Sequence, residues 1–360
     1  MERIFFDARY IRVDHHDGIS RYSAGLIWAL NARTKVVAII SDKRQLTKLP
    51  LGIDYVLATS PTSWREPFLA FTLNRLGAKL VYSPMQTIGS LGRKFKLVLT
   101  LHDLIYYRHP TPPPSLSWPI RVGWRLYHLS YTPQRIALNR ADAVVTVSET
   151  TKRLMLEHRL TKRPIQVVYN AAGNLSEQYE HKAPLMRPRD QQDLVYMGSF
   201  MDYKNVECLI EAMAYLPEYR LNLLSAITSD RRAELERLVS PEGGTVMFHN
   251  GVSEARYHEI LDSSVALVSA SRDEGFGIPL IEAMARGIPV AVSDIGIFRE
   301  IAADAGSYFD PEKPESLAAV IRRLESTSTW LEASRNGLSR AKLFSWGTSA
   351  KSLLSALATI

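Results

Sequence analysis

The chain has 360 residues, 46% apolar and 22% charged; these proportions exclude a disordered, collagen-like or low-complexity protein and suffice for more than one core. One cysteine, Cys208, excludes an internal disulfide and a cysteine-cluster metal site, and fits a reducing compartment. The net charge of +7 is unevenly held: residues 1–174 carry 25 Lys/Arg against 11 Asp/Glu, a surplus of 14, whereas residues 175–360 carry 19 against 26, a deficit of 7. A basic half joined to an acidic half implies that the first meets something anionic.

Short β-branched runs alternate with helical periods along the chain. Strands are expected at 3–6, 35–40, 79–83, 96–101, 143–147 and 165–169, then at 194–198, 221–225, 245–249, 265–269 and 289–293. Helices are expected between them at 19–30, 206–216, 229–238, 255–261 and 279–285. Continuous apolar strands alternating with helices indicate parallel sheets covered on both faces. The rhythm pauses over 171–192, a polar stretch with Pro184 and Pro188, where the charge balance also changes sign. The expected fold is α/β, with two Rossmann-like β/α/β domains facing a central cleft: 1–174, 175–345, and a last helix over 346–360 crossing back to the first. No secretory signal is visible, and no apolar run approaches the ~20 residues of a spanning helix. A cytoplasmic protein is expected.

The passage from Ser269 to Ser293 carries the most chemistry. A strand ends near Ser269, a loop holds Glu274, Gly275, Phe276 and Gly277, and Pro279 fits the first turn of a new helix. The glycines remove bulk where backbone approaches a ligand, and the helix N-terminus offers unpaired N–H groups to a phosphate. Glu274 and Glu282 supply acceptors for hydroxyl groups on either side. Such a pair around an anion cradle fits a sugar nucleotide. A plain glycine turn with a solvated glutamate fits these residues equally well.

Glu-Gly-Phe-Gly-Ile-Pro-Leu-Ile-Glu-Ala-Met-Ala, 274–285, resembles the signature of glycosyltransferase family 4, retaining enzymes of the GT-B fold. Further motifs appear in the family's order: Asp7-Ala-Arg-Tyr with Gly18-Ile-Ser-Arg-Tyr, Thr100-Leu-His-Asp-Leu, Val145 to Glu149 with Val167 to Asn170, Tyr196-Met-Gly-Ser-Phe with Lys204-Asn205, and Phe344-Ser-Trp346. The resemblance implies that Glu274 binds hydroxyls of the transferred sugar and that backbone at Gly275, Phe276 and Gly277 contacts sugar and phosphate. It places Glu282 on the ribose, with Ile278 and Leu280 beside the donor, and Lys204 on the diphosphate, whose negative charge grows in the transition state. Gly18 and Ser20 would close over the same phosphates. Arg21 and Asp103 fall on the acceptor side. No metal is required, since a mobile cation replaces it and no Asp-x-Asp signature occurs.

Two departures bear on the phosphate. Where the family often carries an arginine, this chain has Ser199 and Tyr203; Ser199 remains beside the donor, and Arg21 or Arg272 is the candidate for a second cation. His102, after an apolar strand, is expected to contact the donor sugar and orient the reacting groups. His15 and His16, bracketed by Asp14 and Asp17, read as a solvated loop, because neighbours along a loop rarely converge on one ion. Cys208 reads as core.

The segment 119–133 suggests a helix with Arg121, Arg125 and His128 on one stripe and Ile120, Trp124, Tyr127 and Tyr131 on another. For this helix alone, aromatics packed on the sheet under a solvated arginine face is the slightly better reading; with the surplus of the whole half, Arg93, Lys94 and Lys96 nearby in sequence and Trp118 and Trp124 available to insert, an anionic membrane surface is a candidate partner, and nucleic acid is not. The protein is then peripheral on the inner face of the cell membrane. The function read from all this is transfer of a sugar from a nucleotide-diphosphate sugar to a glycan or lipid-linked acceptor, with GDP-mannose favoured over UDP sugars. A sugar-nucleotide epimerase on the same fold, or a catalytically silent sugar-nucleotide-binding partner subunit, fits the same motifs.

Overall fold

In the computed structural model, which describes residues 3–13, 18–112, 116–173 and 192–360, the strands of both sheets run parallel. The chain divides into two compact units: Met1–Glu177 with Phe344–Ile360, and Gln178–Leu343. Most of the expected linker, 174–191, and the His15–His16 stretch with Asp14 and Asp17 lie outside the described residues.

The first unit holds β1 (Ile4–Asp7), β2 (Val36–Ile40), β3 (Asp54–Leu57), β4 (Leu80–Ser83), β5 (Lys96–Leu101), β6 (Ala143–Thr146) and β7 (Ile165–Val167), in the order β3-β2-β1-β4-β5-β6-β7. β1, β2, β4 and β6 are buried throughout, which is why they read as unbroken apolar runs. β3, at an edge, is largely exposed, and no expected strand fell there. The strand order reverses between β1 and β4. That gap is where ligands enter such sheets, beyond the strands' carboxyl ends.

The helix Gly18–Asn31 follows β1 and packs against the last helix, Trp346–Ala358. Ser345 caps the latter, its hydroxyl accepting from the Thr348 N–H at 3.1 Å. The approach depends on Gly25: a Cβ there would lie 2.2 Å from Cε2 of Trp346. The Trp346 indole donates to the Gly173 carbonyl at 2.9 Å, and the Ser349 hydroxyl to that of Tyr169 at 2.6 Å.

The second unit holds β8 (Asp193–Tyr196), β9 (Arg220–Leu223), β10 (Thr245–Phe248), β11 (Ala266–Ser269), β12 (Val290–Ser293) and β13 (Gly306–Phe309), in the order β10-β9-β8-β11-β12-β13. β13 escaped the sequence reading because three of its four residues are half-buried and supply no continuous apolar run. The core gathers Tyr219, Leu221, Leu223 and Trp330, whose indole N–H reaches the Val265 carbonyl at 2.8 Å. Cys208 belongs to this core, and burial, followed by the charge of Glu211, pushes its thiol up to about 12. Among the described residues no helix is long and apolar enough to cross a membrane.

Candidate functional site

In the second unit the strand order reverses between β8 and β11, which pair directly, Leu194 against Ala266 and Val195 against Leu267. The segments leaving these two strands therefore emerge side by side at the switch point. One carries Ser199 and Lys204; the other carries Glu274 to Gly277 and the helix Ile278–Ala285.

Lys204 and Glu274, seventy positions apart, form an ion pair with side chains only 13% and 15% exposed. The Ser271 hydroxyl donates to the same Glu274 oxygen at 3.2 Å. The ammonium also lies 5.2 Å from the centre of the Tyr203 ring. Beneath them Tyr196 is fully buried, and burial, then the Glu274 charge, hold its phenol well above the usual range, so it stays neutral. Its hydroxyl donates to the Ser199 carbonyl at 2.6 Å, which fixes the turn while the Ser199 side chain faces solvent.

Gly277 stands at the N-cap of the helix Ile278–Ala285 with φ +95°, a left-handed conformation that side chains disfavour. Pro279 sits in the first turn, where its missing N–H costs nothing. Phe276 and Leu280 are buried, 4% and 2% exposed, so their side chains anchor the loop in the core. Gly275 is buried and Ile278 half-buried. Glu282, one turn into the helix and 8% exposed, accepts from the Tyr257 hydroxyl at 3.0 Å. Arg272 engages Glu312 through two hydrogen bonds of 2.6 and 3.0 Å, which commits its guanidinium to that carboxylate.

In the first unit His102 follows β5, half-buried, with Nε2 2.8 Å from the Pro84 carbonyl. A carbonyl only accepts, so Nε2 carries the proton. The ring meets Tyr22 edge-on at 5.1 Å, and the Tyr22 hydroxyl is anchored to that of Tyr82 at 2.7 Å. Asp103 Oδ1 accepts from the Ile105 N–H at 3.0 Å. Gly18 and Arg21 lie in the first turn of the helix Gly18–Asn31, while Ser20 there is fully buried and accepts from the Arg12 N–H at 3.0 Å.

The sequence reading missed a charged network at the β1/β4 switch. Arg9 is enclosed, bonding Asp7 at 2.7 and 3.0 Å and Glu66 at 2.6 and 2.9 Å. Burial opposes its charge, but the two carboxylates outweigh burial and raise its pKa. Glu66 also accepts from the Gly89 N–H at 2.9 Å, and Gln45 donates to the carbonyls of Ala8, Arg9 and Ile11. The loops beyond β1 and β4 are thus locked by buried polar bonds.

The helix expected over 119–133 is two, Trp118–His128 and Thr132–Asn139. Its faces differ from those read in the sequence. Trp124 packs on Tyr106 at 5.0 Å and on His128 at 4.1 Å, so it does not stand outward to insert. His128 leaves the basic stripe, its Nδ1 2.8 Å from the Trp124 carbonyl and its pKa lowered mainly by burial. The exposed apolar side chains are Trp118, Ile120, Val122, Leu126 and Leu129.

The family model described as Glycosyltransferase Family 4 matches residues 16–172, and that described as Glycosyl transferases group 1 matches residues 177–341. The chain belongs to the family 4 glycosyltransferases. It is a hexosyltransferase. An O-antigen chain mannosyltransferase, RfbU of Salmonella typhimurium, is 26% identical over 90% of this chain and 91% of its own. Sucrose-phosphate synthase from Thermosynechococcus elongatus superposes with a TM-score of 0.72 at 19% identity, over 100% of this chain and 99% of that protein. Anabaena HepE, in complex with UDP and glucose, gives 0.72 at 18% identity, over 99% and 100%. These likenesses make the fold GT-B.

Proposed function

We propose that this hexosyltransferase is retaining, takes a nucleotide-diphosphate sugar as donor with GDP-mannose preferred, and delivers mannose to a glycan or lipid-linked acceptor of polysaccharide synthesis at the inner face of the cell membrane. The observation that carries the reading is the Lys204–Glu274 pair, half-enclosed at the β8/β11 switch beside the N-terminus of the helix Ile278–Ala285. The mannosyltransferase relative supports the sugar and the glycan acceptor, and a structural neighbour in complex with UDP and glucose supports the donor class.

In this reading the donor diphosphate meets Lys204 and the backbone N–H groups at the loop and helix start, which oppose the charge that develops as the glycosidic C–O bond breaks. Glu274 holds hydroxyls of the transferred sugar, and Glu282, steadied by Tyr257, holds the ribose. His102, in the first unit, has its tautomer and ring orientation fixed by the Nε2–H bond to Pro84. The acceptor oxygen attacks C1 from the face the diphosphate leaves, and its proton passes to a leaving phosphate oxygen.

Incubation with a panel of sugar nucleotides and a membrane extract, with and without EDTA, tests this. Sugar transfer from GDP-mannose that needs the extract and survives EDTA is expected, since lysine and helix supply the positive charge. Release of an altered free sugar without extract points instead to an epimerase, and binding without turnover to a silent subunit. Loss of activity in EDTA, restored by Mn²⁺ or Mg²⁺, refutes the metal-free phosphate chemistry.

A further inference from the structure

The surplus of positive charge in the first half has a definite place in the fold. In a parallel sheet all strands enter from one edge, opposite the carboxyl ends that carry Asp7 and His102. Six of the seven strands there have a cation at or within three residues of entry: Arg3, Lys35, Lys79, Lys96, Arg140 and Arg163, all exposed. The exception is β3, which begins at Asp54. Several of these cations are immediate neighbours. The Lys96 N–H donates to the Lys79 carbonyl at 2.8 Å, and the Ile4 N–H, next to Arg3, donates to the Lys35 carbonyl at 3.0 Å.

Like charges on adjacent strands repel, and an anionic surface facing the row relieves that repulsion. Arg140 ends a helix, where the dipole itself favours a cation. Lys35 and Lys79 follow the ends of the helices Gly18–Asn31 and Leu69–Arg75, and Lys96 begins β5. Between β4 and β5 the edge opens into a basin of about 690 Å³ lined by Lys79, Arg93, Lys94, Phe95, Lys96 and Asp142. Its one acid, Asp142, is shared: Oδ2 takes Arg93 at 2.8 Å and the Leu97 N–H at 2.8 Å, and Oδ1 lies 4.0 Å from the Lys96 ammonium, so a single carboxylate faces four cations.

We propose that this strand-entry edge of the first unit docks on the headgroups of an acidic phospholipid bilayer. The proposal deepens the membrane-surface reading above and rests on it. At a strand spacing of about 4.8 Å, six strands set their charges along roughly 24 Å, while the Debye length at physiological salt is roughly 8 Å. Neighbouring cations therefore act on a facing surface as one field. Two exposed apolar side chains flank the basin in the chain, Leu76 three residues before Lys79 and Leu91 two before Arg93. A bilayer accepts phosphate-seeking and apolar groups together; a nucleic acid would be served by stacked aromatics, which the basin's lining does not offer outside buried Phe95.

Flotation of the full chain with phosphatidylglycerol–phosphatidylcholine vesicles, against pure phosphatidylcholine, tests the assignment. The native protein should float with the acidic vesicles only, and less as salt rises. Lys79→Glu with Lys94→Glu and Lys96→Glu should weaken partitioning on the order of a hundredfold, and Lys35→Glu with Arg163→Glu on other strands should weaken it independently. Circular dichroism establishes that each variant is folded, and donor turnover in detergent solution should match the native enzyme. Undiminished flotation of both edge variants, with loss instead on Arg121→Glu, Arg125→Glu and Trp118→Ala, overturns the edge and leaves the membrane reading standing. A native protein that ignores acidic vesicles at low salt, or binds a single-stranded RNA while ignoring them, overturns both.

Discussion

Alanine at Glu274 or at Lys204 is expected to lower kcat by about 100- to 1,000-fold, the scale of removing one electrostatic contact from a developing charge. The two residues come from segments seventy positions apart and meet at a strand-order switch, with side chains 13% and 15% exposed. Each is therefore partly dehydrated, which strengthens its action on a sugar phosphate relative to the same charge in water. Both carboxylate and ammonium retain access to solvent, so either variant should keep its circular dichroism and fold. Steady-state turnover of the variants, with the native far-ultraviolet spectrum as control, checks this. Transfer within a few-fold of native by either one removes it from the site.

A second large effect is expected on stability. Arg9→Ala leaves Asp7 and Glu66 facing each other in an enclosed site, where Arg9 and Asp7 side chains are 0% exposed and Glu66 is 10%. Breaking a buried ion pair from one side costs about 3–5 kcal/mol, because the remaining charge is uncompensated. Urea midpoints of the variant and the native chain measure it. Replacing all three, Asp7→Asn, Arg9→Met and Glu66→Gln, should recover part of the loss. An Arg9→Ala midpoint equal to native shows that the network is not structural.

That network also marks what the sequence could and could not disclose. Interior strands such as β4 and β6 were legible because burial on both faces demands unbroken apolar runs. The edge strands β3 and β13 lack that demand, since one flank meets solvent or a helix end. Glu274 and Gly277 were legible through a motif whose reason is local: a strand end, a left-handed glycine and a helix start within ten residues. Lys204 was legible through a separate motif on the segment after β8. Asp7 and Arg9 stood in a motif without a role, and Glu66 in none, because partners fifty-seven positions apart meet only through the order of strands. The helix Trp118–His128 shows a different limit. Its periodicity separated two faces, but which one packs was decided by Tyr106 and Tyr107 from outside the helix, so Trp124 turned inward and Trp118 stayed out.

The central claim is that the β8/β11 switch holds a nucleotide-diphosphate sugar whose sugar is transferred with its anomeric configuration kept. The most direct test is the one-bond carbon–proton coupling at the new anomeric centre after transfer from GDP-α-mannose to a membrane-extract acceptor. The account predicts the coupling of an α-linked mannose, formed far more slowly by the Glu274→Ala enzyme. A β-linked product, or an alanine variant that forms the product at the native rate, contradicts it.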